Sequence, residues 1–274
     1  MPFYKLLQDV RILPISSLKL HEMAVKERTE RMRHLLLASH SLKNPVIVER
    51  KSRVVLDGTH RIAALSELGY KNVLCQLVDY SSPKLKVGAW HPYFHTLNAF
   101  GAVAGITSCK EVTYPQGMRM VKSSTAAFLL AYLEKRKKKF LAVGISAKPL
   151  PTNVLAARQS LITHALSQKH RLRYVSDEHW EETLAGEKAI LIRRPFSKAE
   201  ILSIAGSNRL LPPKATRHEL PIRVLGANIP MGWLRFSAKD AEERLRRHLH
   251  SCIEAEDARY YPEPVLVLDD ARPR

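Results

Sequence analysis

The sequence predicts an α/β (α+β) fold, with an N-terminal domain over 1–95, a second mixed α/β domain over 96–235 and a basic C-terminal helix and tail over 236–274. Three observations carry this. Short apolar runs rich in β formers alternate with segments of helical period. Gly and Pro punctuate them at element ends. Around Asp57 the order strand, turn, helix, strand is complete between residues 53 and 80, which is the grammar of a layered mixed domain.

In chain order, Val10–Leu13 reads as a strand, and Pro14–Leu20 leads into His21-Glu22. Val25, Met32, Leu35 and Leu36 give 24–37 a helical spacing. Val46–Val48 and Arg53–Leu56 are strands joined by a tight turn at Lys51-Ser52, and Asp57-Gly58 ends the second. Ile62, Leu65 and Leu68 mark a helix stopped by Gly69, and Val73–Tyr80 is the next strand. Further on, Thr125–Leu133 is expected to be helical, as are Val154–Gln168, Lys198–Ala205 and Ala238–Cys252. Phe140–Ile145 and Ala189–Ile192 are expected strands, with a short one at Val265–Leu268.

Apolar content of 45% and charged content of 26% are ordinary for a globular chain. No stretch approaches the roughly 18 uninterrupted apolar residues of a membrane helix. Three widely spaced cysteines, Cys75, Cys109 and Cys252, form neither a disulfide framework nor a CxxC zinc half-site. With no secretory leader pattern in MPFYKLLQDVRILP, the expectation is a cytoplasmic protein that does not engage membranes. The net charge of +18 attracts polyanions, including nucleic acid. It concentrates in the run Lys135–Lys139 and in Arg244, Arg246, Arg247 and His248, both also readable as solvated faces without interleaved aromatics.

Four segments carry the chemistry. In Val54–Arg61 a buried strand delivers a tight turn to a helix start, whose free N–H groups bind phosphate. Gly58 permits close approach, and Thr59, His60 and Arg61 add donors. Asp57 caps the helix, orients His60 or faces a Mg²⁺ ion; an Asp-Gly turn with an ordinary cap reads equally well in isolation. In His21-Glu22 a carboxylate stands where it can take a hydroxyl proton, or simply favour a helix start. Pro213-Lys214-Ala215-Thr216-Arg217-His218 packs four kinds of donor into a proline-stiffened loop suited to a small carboxylate or phosphate. Trp90–Phe94 offers exposed aromatics that could wall a pocket, or aromatic core beneath a loop. No GxxxxGK[ST], GxGxxG, GxSxG or HExxH motif is present.

Together these segments resemble the free L-serine kinases, a family of the ParB/sulfiredoxin-like fold. The matching residues are His21-Glu22, Asp57 to Arg61, Val87-x-x-Trp90-x-Pro92-x-Phe94, and Pro213-Lys214-x-Thr216-Arg217-His218-x-x-Pro221, in the family's order. Ile190 to Pro195 also resembles the strand before the family's distal loop. The resemblance implies phosphoryl transfer from ADP or ATP to free L-serine, giving O-phospho-L-serine for cysteine or a related pathway. It implies Glu22 as base and Asp57 serving transfer directly or through Mg²⁺. Gly58, Thr59, His60 and Arg61 would hold the donor's phosphates and Trp90 would wall the serine site. Lys214 belongs to the same substrate loop, with Thr216, Arg217 and His218 on the serine carboxylate and product phosphate. Thr59 stands where archaeal members carry His, which leaves the donor open, and the tail beyond about residue 235 has no counterpart. The alternative is a ParB-like nucleotide- and DNA-binding regulator; sulfiredoxin chemistry would require a Cys in the turn, and there is none.

Overall fold

A computed structural model describes residues 7–207 and 209–255. Its first sheet is built from β1 (Val10–Pro14), β2 (Lys19–Leu20), β4 (Val46–Glu49), β5 (Val54–Asp57) and β6 (Asn72–Val78), in the order β1-β6-β4-β5-β2. Between them lie α1 (Lys26–Ser39), the two-residue β3 (Ser41–Leu42) and α2 (Thr59–Glu67). The outer β1–β6 pair is antiparallel, whereas β4–β6 and β2–β5 run parallel. Successive side chains of a strand point to opposite faces. Val46, Val48 and Val55 accordingly join Ile62 and Leu65 of α2 in one core, while Ile47, Val54 and Leu56 enter another. Burial on both faces is why β4 and β5 read as unbroken apolar runs.

That second core is shared with a six-stranded sheet. After β7 (Lys86–Gly88) come β8 (Trp90–His95), α3 (Ala99–Ala104), β9 (Cys109–Glu111), α4 (Tyr114–Lys122), β10 (Ala126–Glu134) and β11 (Lys137–Ile145). They are followed by α5 (Thr152–Ser167), β12 (Arg173–Ser176), α6 (Trp180–Thr183), β13 (Lys188–Ile192), α7 (Lys198–Gly206), β14 (Arg217–Glu219), β15 (Ile229–Pro230) and α8 (Ala238–Glu254). The order is β12-β8-β13-β10-β11-β9, with every neighbour antiparallel. Leu191, Phe128, Leu130 and Phe94 of this sheet pack with Ile47, Val54 and Leu56 of the first, so the space between the sheets is the main core.

Two sequence expectations are corrected here. Thr125–Leu133 is not helical: residues 126–134 form β10, with Ala126 to Ala131 all buried. A run of Ala, Leu and Phe carries helix propensity, but pairing with β11 and β13 and burial on both faces override it. The aromatics of Trp90–Phe94 are not a loop of exposed rings: they form strand β8, with Phe94 fully buried and Trp90 half-buried.

The basic run Lys135–Lys139 is the tip of the β10–β11 hairpin. Lys135 and Arg136 hold the left-handed turn (φ 47° and 65°), and Lys138 and Lys139 pair with Glu181 and Glu111, each at 2.9 Å. Helix α8 returns to the first sheet, burying Ala241, Leu245 and Leu249 beside Val10 and Ile12. Glu242 of α8 accepts the Ile12 N–H at 2.7 Å. Arg244, Arg246 and Arg247 are exposed, with Arg244 stacked 4.5 Å over the Phe236 ring, while half-buried His248 meets the Ala227 carbonyl at 2.9 Å. The strand expected at 265–268 lies outside the described residues.

Candidate active site

Strand β5 runs buried to Leu56 and delivers Asp57 and Gly58 to the start of α2. Gly58 has φ +104°, and a Cβ there would lie 2.5 Å from Val46 Cγ1, so both backbone and space require glycine. Gly58 is the N-cap, and no side chain caps it. The first helical bond runs from the Ile62 N–H to the Gly58 carbonyl, leaving the N–H groups of Thr59, His60 and Arg61 ahead of the ladder. The sequence allowed Asp57 as the cap; instead its Oδ2 faces Arg223 Nη1 at 2.8 Å and Arg61 Nη2 at 3.7 Å. Partial burial would raise the Asp57 pKa, but Arg61 and Arg223 hold it below the ordinary carboxylate range.

His60 accepts the Val25 N–H on Nε2 at 3.1 Å. Burial, reinforced by Arg28 and Lys214, lowers its pKa, so the neutral ring carries its proton on Nδ1. Arg61 is largely committed to architecture: Nη1 donates to the carbonyls of Asn44 at 2.6 Å and Pro45 at 2.8 Å.

Glu22 follows β2 and is held by the distal loop. A single parallel bridge joins it to Leu211, with the Leu211 N–H donating to the His21 carbonyl at 2.7 Å. This brings Lys214 and Thr216 onto the carboxylate. Oε1 accepts from the Thr216 N–H at 2.7 Å and from its Oγ1 at 2.6 Å; Oε2 accepts from the Lys214 N–H at 3.1 Å. Lys214 holds a left-handed backbone, φ 58°. Three donors fix the carboxylate while leaving one of its roughly four acceptor positions open. Behind it, buried His21 donates from Nδ1 to the Val55 carbonyl at 2.5 Å and meets Thr216 Oγ1 at 2.8 Å through Nε2. Glu22 is thereby tied through Thr216 and His21 to the strand that carries Asp57.

Beside it lies a cleft of about 410 Å³ lined by Arg28, Arg171, Arg173, Lys214, Trp90 and Tyr174. Lys214 Nζ sits 5.2 Å from the Trp90 ring centroid, and the Arg28 guanidinium sits 5.9 Å from that of Tyr174. Four cations and two rings make a wall for an anionic, partly aromatic ligand.

Arg217 and His218 do not join this wall. Arg217 spends its guanidinium on Asp177 at 2.9 Å, Glu178 at 3.1 Å and Glu219 at 2.6 Å. His218 is buried, its Nε2 bonded to Tyr80 Oη at 2.9 Å, and burial lowers its pKa to about 3. Both brace the loop that carries Lys214 and Thr216.

Two buried groups to which sequence reasoning gave no role lie beside each other, and the first of them is close enough to Glu22 to feel its charge. Arg193, directly after β13, is 2% exposed, and among the described residues none of its Nε, Nη1 and Nη2 atoms has a hydrogen-bond partner. His91 is buried with Nδ1 unpartnered, and burial, with Arg193 close by, lowers its pKa to about 3. The available signal was an arginine following the apolar run Ala189–Ile192 with no acid beside it; neighbouring Arg194, by contrast, reaches Glu200 at 2.7 Å.

No family model matches the chain. It is 25% identical over 236 residues to the ATP-dependent L-serine kinase of Staphylothermus marinus, covering 82% of this chain and 90% of that one. It is 22% identical over 223 residues to the ADP-dependent L-serine kinase of Thermococcus kodakarensis, covering 78% and 88%. The resemblance is to the free L-serine kinases. In structure, a glutamate-to-glutamine variant of a free serine kinase in complex with AMP superposes with a TM-score of 0.69 at 23% identity, over 82% of this chain and 94% of that chain. Staphylococcus aureus SbnI with a C-terminal truncation gives 0.71 at 15% identity, over 90% and 98%. The likeness establishes the fold as the ParB-like one that the motifs imply.

Proposed function

We propose that this chain transfers the terminal phosphoryl group of ADP or ATP to the hydroxyl of free L-serine, giving O-phospho-L-serine, with Glu22 as the base. The observation that carries the reading is the Glu22 carboxylate, fixed by Lys214 and Thr216 between a cationic cleft and an uncapped helix start. The names of the most similar relatives, ATP- and ADP-dependent L-serine kinases, support the same chemistry.

In this reading the N–H groups at Thr59–Arg61 and the Nδ1–H of His60 receive the donor's phosphates. Lys214 and Arg28 neutralise charge on the transferring group. Glu22 accepts the serine proton as the serine oxygen–phosphorus bond forms and the bond to the leaving nucleotide breaks. Trp90 walls the serine side of the cleft. Among the described residues no group of three or more His, Cys, Asp or Glu side chains is arranged to hold a metal. The residues do suit a Mg²⁺ that arrives on the nucleotide, because such ions take one or two carboxylates plus phosphate oxygens. Asp57 would hold it, since among the described residues its partners meet Oδ2, and the ion would supply charge neutralisation. A cytoplasmic setting and a supply of phosphoserine to cysteine synthesis fit this chemistry.

The test is phosphoserine formation with ADP and ATP side by side, with and without Mg²⁺; no product from either donor removes the reading. The ParB-like DNA-binding alternative is less favoured, because Lys138 and Lys139 in the basic run are paired with glutamates on a hairpin tip. Among the described residues no helix is long and apolar enough to cross a membrane.

A further inference from the structure

We propose that Arg193 is the receptor for the α-carboxylate of the amino-acid substrate, the residue that makes the cleft select a free amino acid. This rests on the serine-kinase reading and extends it to a residue outside the loop Pro213–His218, one that lies in the matched stretch Ile190 to Pro195 but to which the resemblance assigns no role.

The argument begins with a cost. A guanidinium taken out of water without a partner is among the least favourable things a fold can contain, and buried charges are otherwise paired. Every other buried or half-buried arginine near the site obeys this rule: Arg61 has two carbonyls and Asp57, Arg194 has Glu200, and Arg217 has three carboxylates. Among the described residues Arg193 has no hydrogen-bond partner, and its guanidinium lies over the face of Phe128, 5.4 Å from the ring centroid. A ligand anion would supply the missing partner.

Position selects the kind of anion. Arg193 is close enough to Glu22 and Tyr174 for both to favour its charged form, against a burial that lowers its pKa to about 10. Tyr174 lines the cleft. Serine is small, so a molecule whose hydroxyl meets Glu22 must place its carboxylate within a few bonds of that contact. The phosphate donors at the start of α2 stand on the first sheet, whereas Arg193 stands on the strand β13 end of the second. A planar fork of five N–H donors matches a carboxylate edge in bidentate fashion. Arg217 and His218, the other candidates for this task, are already satisfied within the protein.

The experiment compares the full chain with Arg193→Met and Arg193→Lys. With serine as acceptor, Arg193→Met should raise the serine KM about 100-fold while leaving the nucleotide KM within about twofold. Serinamide, which lacks the carboxylate, should be a poor acceptor for the natural chain and should differ little from serine with Arg193→Met. Thermal unfolding gives a readout independent of turnover. Without ligand, Arg193→Met should melt at or above the natural chain, because an unpaired buried charge is gone. Serine should raise the midpoint of the natural chain and not that of Arg193→Met.

A raised nucleotide KM with an unchanged serine KM would overturn the proposal in favour of a phosphate contact, and inorganic pyrophosphate would then replace serine as the stabilising probe. A ligand-free Arg193→Met that melts well below the natural chain would overturn it in favour of a structural strut. If the natural chain makes no phosphoserine, the kinase reading fails separately. The melting shifts with serine, other L-amino acids and pyrophosphate still decide whether Arg193 takes a carboxylate.

Discussion

Arg61 and Arg193 are both arginines buried next to the candidate site, and they are treated in opposite ways. Arg61, on the first sheet's side, gives Nη1 to the Asn44 and Pro45 carbonyls and faces Asp57 at 3.7 Å. Arg193, on the second sheet's side, gives its donors to none of the described residues. Polar groups inside proteins are nearly always satisfied, so the exceptions carry information. A satisfied arginine belongs to the architecture and shapes a site from behind. An unsatisfied one is held in readiness at the expense of stability, and such strain gathers where ligands bind.

Substitutions can break or sharpen this contrast. The largest effect is expected between the two arginines, at Glu22, where Glu22→Gln keeps the shape and most of the hydrogen bonds but removes the base. Turnover should fall roughly 10²- to 10⁴-fold with nucleotide affinity kept, measured by phosphoserine formation and nucleotide titration. Next is Arg61→Met, which strands two carbonyls and should cost about 3 kcal/mol in denaturant unfolding. A loss as small as that of Arg193→Met would erase the distinction between the two. Gly58→Ala should follow at about 2 kcal/mol, because a positive φ and the approach of Val46 both oppose a Cβ.

Smaller effects come from the paired acids. Asp57 and Glu200 both have folded pKa values below their unfolded ones. For Glu200, burial works against the bonds from Arg194, Ser197 and Thr152, which bring it down to about 2. A lowered carboxylate contributes stability above its unfolded pKa, near 4, and loses it as pH falls through the folded value. Stability should therefore decline between about pH 4 and pH 2, and Glu200→Gln should flatten that decline. The smallest kinetic effect is assigned to Arg217→Ala, which should move the serine KM by no more than about twofold because its partners are protein carboxylates. A rise like the one expected for Arg193→Met would transfer the carboxylate role back to Arg217.

Much of the first sheet was legible along the chain because its order is local: β4, turn, β5, Gly58 and α2 follow one another within about two dozen residues. Gly58 and Gly69 could be read as turn and stop because only glycine takes a left-handed backbone without penalty. The run Thr125–Leu133 could not be read correctly, since a strand buried on both faces loses the alternation that would mark it. The motif resemblance brought Glu22, Lys214 and Thr216 to one site, and the structure joins them through three hydrogen bonds.

By itself the sequence determined the class of fold, the glycine turn that opens a helix toward an anion, and the cast of charged residues. Only the tertiary structure decided which of those charges are available. Arg217 finds Asp177 forty residues away, Asp57 finds Arg223 across 166, and Arg193 finds no hydrogen-bond partner among the described residues. Pairing of charges depends on distance and burial in space, and neither is carried by the spacing of residues along a chain.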